Sequence, residues 1–356
     1  MSLRSSAVVL VVTLAVAGVG WHRALAAAPK EQAAATAPAS LMETGLYENG
    51  RPGIVDRRNQ PFSPQYPLWT DGARKRRWIR LPEGTTIDAS RTHEWDFPVG
   101  TKLWKEFAFG DRPVETRMLW KVAADEWVFA SYAWNTEGTG ARLVPATGLP
   151  GAAEIAPGRF HHIPSINECR ACHVAKRTEV LGFNALQLST DRDPAAIHGE
   201  PLAEGMATLA TLVADGRLSP PRPDLVASPP RIAARSPEER AVLGYLAGNC
   251  GACHNRDSDL APLGLHWKHG ELATDAAGTL QAMLRRRTKW QVPGVPEGES
   301  RLIDTDHPEQ SALVRRMSSR WMATQMPPLG TVVADRAALD HVRRWLAEQR
   351  PDRTRE

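Results

Sequence analysis

Two copies of the pentapeptide Cys-x-x-Cys-His constrain this chain more than any other feature. The first runs from Cys169 to His173 and the second from Cys250 to His254, and together they use all four cysteines of the 356 residues. In this motif two thiols form thioether bonds to the vinyl groups of one haem, and the adjacent histidine ligates the iron. The sequence therefore predicts two haem c groups. The expected thioether residues are Cys169, Cys172, Cys250 and Cys253, and the expected proximal ligands are His173 and His254.

Two other uses of the cysteines are open at this point. Two Cys-x-x-Cys pairs can form a four-thiolate zinc site, and an exported chain can hold two local disulfides. A zinc site does not require a histidine directly after the second cysteine in both copies. The haem interpretation explains that repeated histidine, and it is the one we take forward.

The N-terminus has the pattern of a secretory signal. Arg4 precedes an uncharged apolar run over 7–20, and small residues at 24–26 form a cleavage site. The run is short for a membrane span, so we expect cleavage near Ala26, although an uncleaved anchor stays open. The predictions are a periplasmic protein with no membrane span in the mature chain, and a flexible linker over 27–44 that is rich in Ala, Pro and Thr.

Charge gives little indication of a nucleic-acid partner. The formal net charge is +4, and removing Arg4 and Arg23 with the predicted signal lowers it to +2. The dense basic runs at 74–77 and 285–287 are therefore expected to be solvated surface. We predict no nucleic acid among the partners.

A strand-rich region follows the linker. Three short runs, 101–109, 114–122 and 126–135, are rich in aromatic and branched residues and are separated by turn signals. Seven of the twelve tryptophans lie between Trp69 and Trp134. This density predicts an antiparallel sheet or sandwich with an aromatic core, and a sugar-binding role for the tryptophans is the less favoured alternative.

The C-terminal part contains two predicted helices. Ser236 is expected as the N-cap of the first helix, with Pro237 at its first position and Glu239 completing a capping box. This helix leads directly into Cys250. The second helix covers 335–349 and has an apolar stripe on one face.

The region from Ser236 to Arg350 resembles class I cytochrome c. The resemblance implies that the first and last helices cross, with Gly244, Tyr245 and Trp345 in the contact. It also implies that Met326, which precedes two prolines, ligates the iron opposite His254. Met326 lies 72 positions after His254, so an insertion is expected over 260–299.

Alternatives to Met326 come from neighbouring residues. Methionine is a common core residue, and Met317 and Met322 lie nearby. His266 and His269 lie in the expected insertion; they could compete as ligands but are interpreted mainly as surface histidines.

Around the first motif the chain resembles a group of bacterial dihaem cytochromes with a β-rich N-terminal region. The matching segments are 95–101, 114–117, 132–135 and the two haem motifs. The resemblance implies electron transfer and names no substrate. For the distal ligand of the first haem we name His198 as a tentative candidate, with His161, His162, Met206 or an open position as alternatives.

The predicted fold class is α+β multidomain: an antiparallel β-rich domain, then haem-binding segments, the last an all-α cytochrome c-like domain. The predicted boundaries are a signal peptide over 1–26, a linker over 27–44, a Trp-rich β domain over 45–165, a first haem segment over 166–235 and a cytochrome c-like domain over 236–350. The expected function is one-electron transfer between periplasmic redox proteins, with no catalytic residue. The alternatives are a dihaem peroxidase-like enzyme with an open first haem, and a partner-binding β module with accessory haems.

Overall fold

Ten β-strands lie within the described residues, before, between or beside the two Cys-x-x-Cys-His motifs. The computed structural model describes residues 36–173, 179–284 and 286–349; the predicted signal peptide lies outside them. The strands are β1 (Gln60–Pro61), β2 (Arg74–Arg80), β3 (Ile87–Asp88), β4 (Lys102–Phe109), β5 (Arg112–Ala123), β6 (Glu126–Trp134), β7 (Ala141–Leu143), β8 (Leu149–Ala156), β9 (Arg159–Ile163) and β10 (Leu218–Ser219).

Six of these strands form one antiparallel sheet in the order β1-β2-β4-β5-β6-β7. Strands β4, β5 and β6 confirm the three strands that the sequence predicts. Short turns join these three strands. In the turn between β4 and β5, Gly110 has a φ of 60° and supplies the left-handed backbone conformation. Strands β8 and β9 form a separate hairpin, and β3 pairs in parallel with β10.

The two faces of the six-stranded sheet differ in what covers them. One face carries Trp78, Trp104 and Met118 and packs against Leu41 and Tyr47 in a hydrophobic core. Leu41 is fully buried and begins a short 3-10 turn, Leu41–Glu43. The last residues of the predicted linker therefore belong to this core. The other face carries Arg117 and Ser131, and Ser131 forms a hydrogen bond with Cys169 of the first Cys-x-x-Cys-His motif.

The described residues also form seven α-helices. They are α1 (Ile166–His173), α2 (Leu209–Ala214), α3 (Asp224–Ala227), α4 (Pro237–Asn249), α5 (His269–Met283), α6 (Ala312–Ser318) and α7 (Arg336–Glu348). Both predicted C-terminal helices are confirmed as α4 and α7. Among the described residues, none of these helices has the length and apolar character needed to cross a membrane.

The cap of α4 differs in one detail from the sequence prediction. Ser236 is the N-cap and accepts a hydrogen bond from the backbone N–H of Glu239 at 3.0 Å. The Glu239 carboxylate does not close a capping box; it accepts hydrogen bonds from Arg235 and from the indole of Trp345. This carboxylate therefore links the start of α4 to α7.

Helices α4 and α7 pack together in a large hydrophobic core that includes Tyr245, Leu246 and Trp345. The expected role of Gly244 is different here, because its missing side chain makes room for Tyr66. A Cβ atom at Gly244 would lie 2.0 Å from Cε1 of Tyr66. The same core contains Leu186, so residues from all three predicted segments share it.

Candidate functional site

Both Cys-x-x-Cys-His motifs line one cavity of about 860 Å³. Its wall includes both cysteines and the histidine of each motif, and it also includes Met326. The volume is at the upper end of the range for small-molecule and cofactor sites, roughly 300–1,000 Å³. The four thiols form no disulfide, and the two pairs open onto this space instead of meeting in one four-thiolate cluster.

The first motif lies on α1 against the six-stranded sheet. Burial raises the pKa of the Cys169 thiol, although Arg117 and a hydrogen bond with Ser131 on β6 oppose the rise. The ring centroids of His173 and Phe129 are 5.6 Å apart. His173 Nδ1 lies 2.5 Å from the carbonyl oxygen of Glu179, to which it can donate a hydrogen bond. This bond fixes the ring and leaves Nε2 as the nitrogen suited to a metal.

The second motif begins where α4 ends. Cys250 is the C-cap of α4, and the backbone N–H of His254 donates to the carbonyl of Cys250 at 2.8 Å. Burial raises the pKa of Cys250 to about 12 and lowers the pKa of His254. Among the described residues, buried Nδ1 of His254 has no hydrogen-bond partner. The imidazole is therefore kept neutral, which is the form that binds metals.

Met326 lies in the loop between α6 and α7 and lines the cavity. Its backbone N–H donates to the carbonyl of Arg316 at 2.8 Å. Gln325 braces the following prolines by donating to the carbonyls of Pro327 and Pro328. Of the two alternatives, Met322 is 85% exposed, whereas Met317 is buried and lines the same cavity.

His198 lies at the N-terminus of α7 rather than beside the first motif. Its Nε2 is 2.8 Å from Oδ2 of Asp335, the N-cap of α7, and its ring contacts Trp69 and Tyr245. It is not among the residues that line the cavity with His173. This position gives no support to His198 as the distal ligand, which stays a prediction.

The other sequence candidates for that ligand are also engaged elsewhere. His161 is buried, with Nε2 3.0 Å from a carboxylate oxygen of Glu115. His162 is exposed and accepts a hydrogen bond from Gly151. The sulfur of Met206 accepts a hydrogen bond from Ala203.

Two histidines outside the motifs line the cavity: His93, which the sequence analysis did not consider, and His269, which it considered as a competing ligand. His269 is only partly exposed; burial lowers its pKa to about 3, and its ring lies 3.3 Å from the amides of Asn184 and Gln187. Burial lowers the pKa of His93 to about 4, and its buried Nδ1 has no partner within the described structure. His93 belongs to no sequence motif. Its place on the cavity wall, beside Gly270 near the start of α5, is visible only in the tertiary structure.

The cavity face of the sheet has a charged row and an apolar row at adjacent registers. The charged row consists of Arg77 on β2, Lys105 on β4 and Arg117 on β5, and Ser131 continues it on β6. The apolar row crosses the same four strands and consists of Ile79, Leu103, Leu119 and Phe129. Residues paired directly across strands share a face. The wall of the cavity therefore combines apolar contact area with three basic side chains.

A buried acid–base network continues from this wall. Arg117 donates two hydrogen bonds to the carboxylate of Glu115, which also meets His161. Burial opposes the charged form of His161, but the nearby Asp71 carboxylate, 4.0 Å from Nδ1, and the hydrogen bond with Glu115 outweigh burial and raise the pKa of His161. Asp71 in turn accepts hydrogen bonds from the backbone N–H groups of Val332 and Val333, in the loop that follows Met326. The surroundings of the two motifs are thus physically connected.

Comparisons with protein-family models, with curated proteins and with solved structures found no match for this chain. The resemblance to cytochromes rests on the sequence motifs alone.

Proposed function

We propose that this chain is a periplasmic dihaem c-type cytochrome that carries single electrons between redox proteins. The observation that carries the proposal is the shared cavity, which both Cys-x-x-Cys-His motifs and Met326 line. The C-terminal unit, with α4 and α7 packed together and a Met-Pro-Pro loop between α6 and α7, is proposed to be the cytochrome c-like part. Export to the periplasm is proposed from the N-terminal segment alone.

The residues present fit a covalently bound haem in three respects. The thiols of each motif are reduced and line a large cavity beside their histidine. The carbonyl of Glu179 orients the ring of His173, as expected for a metal-ligating histidine. Basic side chains on the wall, including Arg77 and Arg320, have buried nitrogen atoms without partners in the described structure. These nitrogens are suited to the carboxylates of an anionic cofactor.

A bound haem supplies an iron that takes up and releases one electron. In this proposal Cys169, Cys172, Cys250 and Cys253 anchor the two porphyrins, and His173 and His254 hold the irons. The thioether of Met326 favours ferrous iron and raises the potential at the second site. The prolines after it restrict the loop, so the sulfur loses little conformational entropy when it is held in place.

For the distal position of the first haem, the cavity favours His93 and His269 over His198. Both are held neutral by burial, and neutral imidazole is a ligand. We favour His93 over His269 because the Nδ1 atom of His93 has no hydrogen-bond partner in the described residues. His269 would first have to release an amide partner.

The test of covalent haem is the intact mass of the processed protein after acid–acetone extraction. We expect the polypeptide plus two haem masses. The double variant Cys169→Ala/Cys172→Ala and the matched variant Cys250→Ala/Cys253→Ala are each expected to lose one haem mass. An apo mass, or stoichiometric zinc, would reject the proposal.

The test of the carrier role is spin state and small-ligand binding. We expect both ferric haems to be low spin by EPR, and neither ferrous haem to bind carbon monoxide rapidly. Met326→Ala should abolish the weak methionine-to-iron absorption band, with Met317→Ala as the control. Rapid carbon monoxide binding to half of the haem, with peroxide turnover, would favour the dihaem peroxidase instead.

A further inference from the structure

Of the three basic side chains in the charged row of the sheet, Lys105 is the one without a carboxylate partner among the described residues. Arg117 beside it is neutralised by Glu115, and Arg77 on its other side contacts Glu200 at 2.8 Å. Within the described part of the chain, Lys105 has no carboxylate within 4.0 Å, and its ammonium lies 4.9 Å from the ring centroid of Phe107. Burial, together with Arg77, Lys75 and Arg117, lowers its pKa well below the usual value. Lys105 is only partly exposed, and a partly buried cation without a counter-charge is costly unless a bound anion compensates it.

Arg77 has spare binding capacity next to Lys105. Its side chain is 5% exposed and uses one terminal nitrogen for Glu200. The other terminal nitrogen is buried and has no partner among the described residues. Since Arg77 and Lys105 are directly paired across β2 and β4, these two donors lie side by side on the cavity face.

The distance of this pair from the first motif follows from the sheet. Cys169 hydrogen-bonds Ser131 on β6, at the far end of the same row. Neighbouring strands are roughly 4.8 Å apart, so β4 lies about 10 Å and β2 about 14 Å from β6. The propionates of a haem leave the porphyrin on the edge opposite the thioether bonds. A porphyrin anchored at Cys169 and lying over the apolar row would therefore extend its carboxylates towards Lys105 and Arg77.

We propose that Lys105 and Arg77 form a carboxylate-binding site that takes the propionates of the porphyrin held by the first motif. This inference rests on the proposed function. It adds the orientation of the first haem across the sheet, with its thioether edge at β6 and its propionate edge at β2 and β4. Arg117, whose charge is neutralised by Glu115, lies on β5 between the proposed thioether edge at β6 and the proposed propionate edge at β4.

The experiment uses the holoprotein and the variant Lys105→Gln. Loss of a cation near the haem favours the ferric form, so we expect the oxidised-to-reduced ratio of the first haem to rise about tenfold at fixed potential, which equals about 59 mV for one electron. A protonated carboxyl band should also appear in the redox-induced infrared difference spectrum at neutral pH. Lys102→Gln, on the same strand but the opposite face, is the matched control and should change neither.

Several outcomes would overturn the proposal. A parent-like potential in Lys105→Gln, or an equal shift in Lys102→Gln, would do so. If Lys105→Gln folds poorly, Lys105→Arg must retain the parent potential, and a lowered potential in that variant would count against the site. Saturable spectral changes on adding phosphate to the parent, absent from Lys105→Gln, would assign the pair to a soluble anion. A protein with no haem mass would reject the proposed function, which the mass measurement identifies separately.

Discussion

The same pentapeptide is held in two different ways in this protein. The first copy ends a short helix, α1, whose residues all stay at least partly exposed, and it lies against a sheet that carries basic residues. The second copy follows α4, in which nine consecutive residues from Glu239 to Ala247 are buried. Helix α4 is fixed by hydrophobic packing against α7, whereas α1 depends on the sheet beneath it.

This difference shows that one pentapeptide can be held by two kinds of scaffold within the same chain. The second site depends on a preformed helical core, so its stability should respond mainly to changes in packing. The first site lies next to Arg117, Glu115 and His161, so it should respond to charge and pH. The following predictions test this contrast, beginning with the largest expected effect.

Trp345→Ala should destabilise the protein most. Trp345 is fully buried in α7, and its indole donates to Glu239 at the start of α4. Removing a buried aromatic ring typically costs about 3–5 kcal/mol of unfolding free energy. Urea denaturation measures the loss. The control Trp321→Ala, at a side chain that is 71% exposed, should change stability by less than about 0.5 kcal/mol. Equal losses in the two variants would contradict the account of the helical core.

Gly244→Ala should be the next most harmful change. The added Cβ would lie 2.0 Å from Cε1 of Tyr66, whose hydroxyl is hydrogen-bonded to Asp193 and cannot move freely. Overpacking of this kind costs about 1–3 kcal/mol. Thermal or urea unfolding should detect it. Gly140→Ala, where nothing lies within 4 Å of the added atom, is the control; an unaffected Gly244→Ala would show that Tyr66 has room to move.

His161 should make the stability of the sheet region depend on pH. Its folded-state pKa is raised, so its contribution is complete below the unfolded-state value of about 6.5 and is lost as pH rises through the folded-state pKa. Each unit of that rise corresponds to about 1.4 kcal/mol. We expect His161→Gln to reduce this decline in unfolding free energy above neutral pH. His162→Gln, at an exposed neighbour, should retain it. A parent-like pH profile in His161→Gln would show that His161 and its carboxylate partners do not cause the decline in unfolding free energy.

His198→Gln should have the smallest effect. It weakens one partly exposed contact with Asp335, which is worth less than about 1 kcal/mol. The EPR spectrum of the first haem should stay low spin, and His93→Ala is the variant expected to produce a high-spin signal. A high-spin signal in His198→Gln would instead restore His198 as the distal ligand.

The regular elements were predictable where the local signal was strong. Alternating faces and turn residues located β4 to β6, and Ser236 and Asp335 marked the starts of α4 and α7. The environment of Gly244 was not predictable, because Tyr66 reaches it from a distant part of the chain. The same limit applies to the cavity histidines, since His93 and His269 have no identifying neighbours in sequence.

The sequence by itself determined the chemical groups of the site. Thiol spacing, the adjacent histidine and the Met-Pro-Pro loop are local properties that any fold of this chain must accommodate. Only the tertiary structure decided which groups share a cavity, because that depends on pairings between residues far apart in the chain. Strand register aligned Arg77, Lys105 and Arg117 into one row, and the tertiary fold brought His198 against Asp335 at the start of α7. Burial then shifted the protonation equilibria, since it lowers the pKa values of His93, His269 and Lys105.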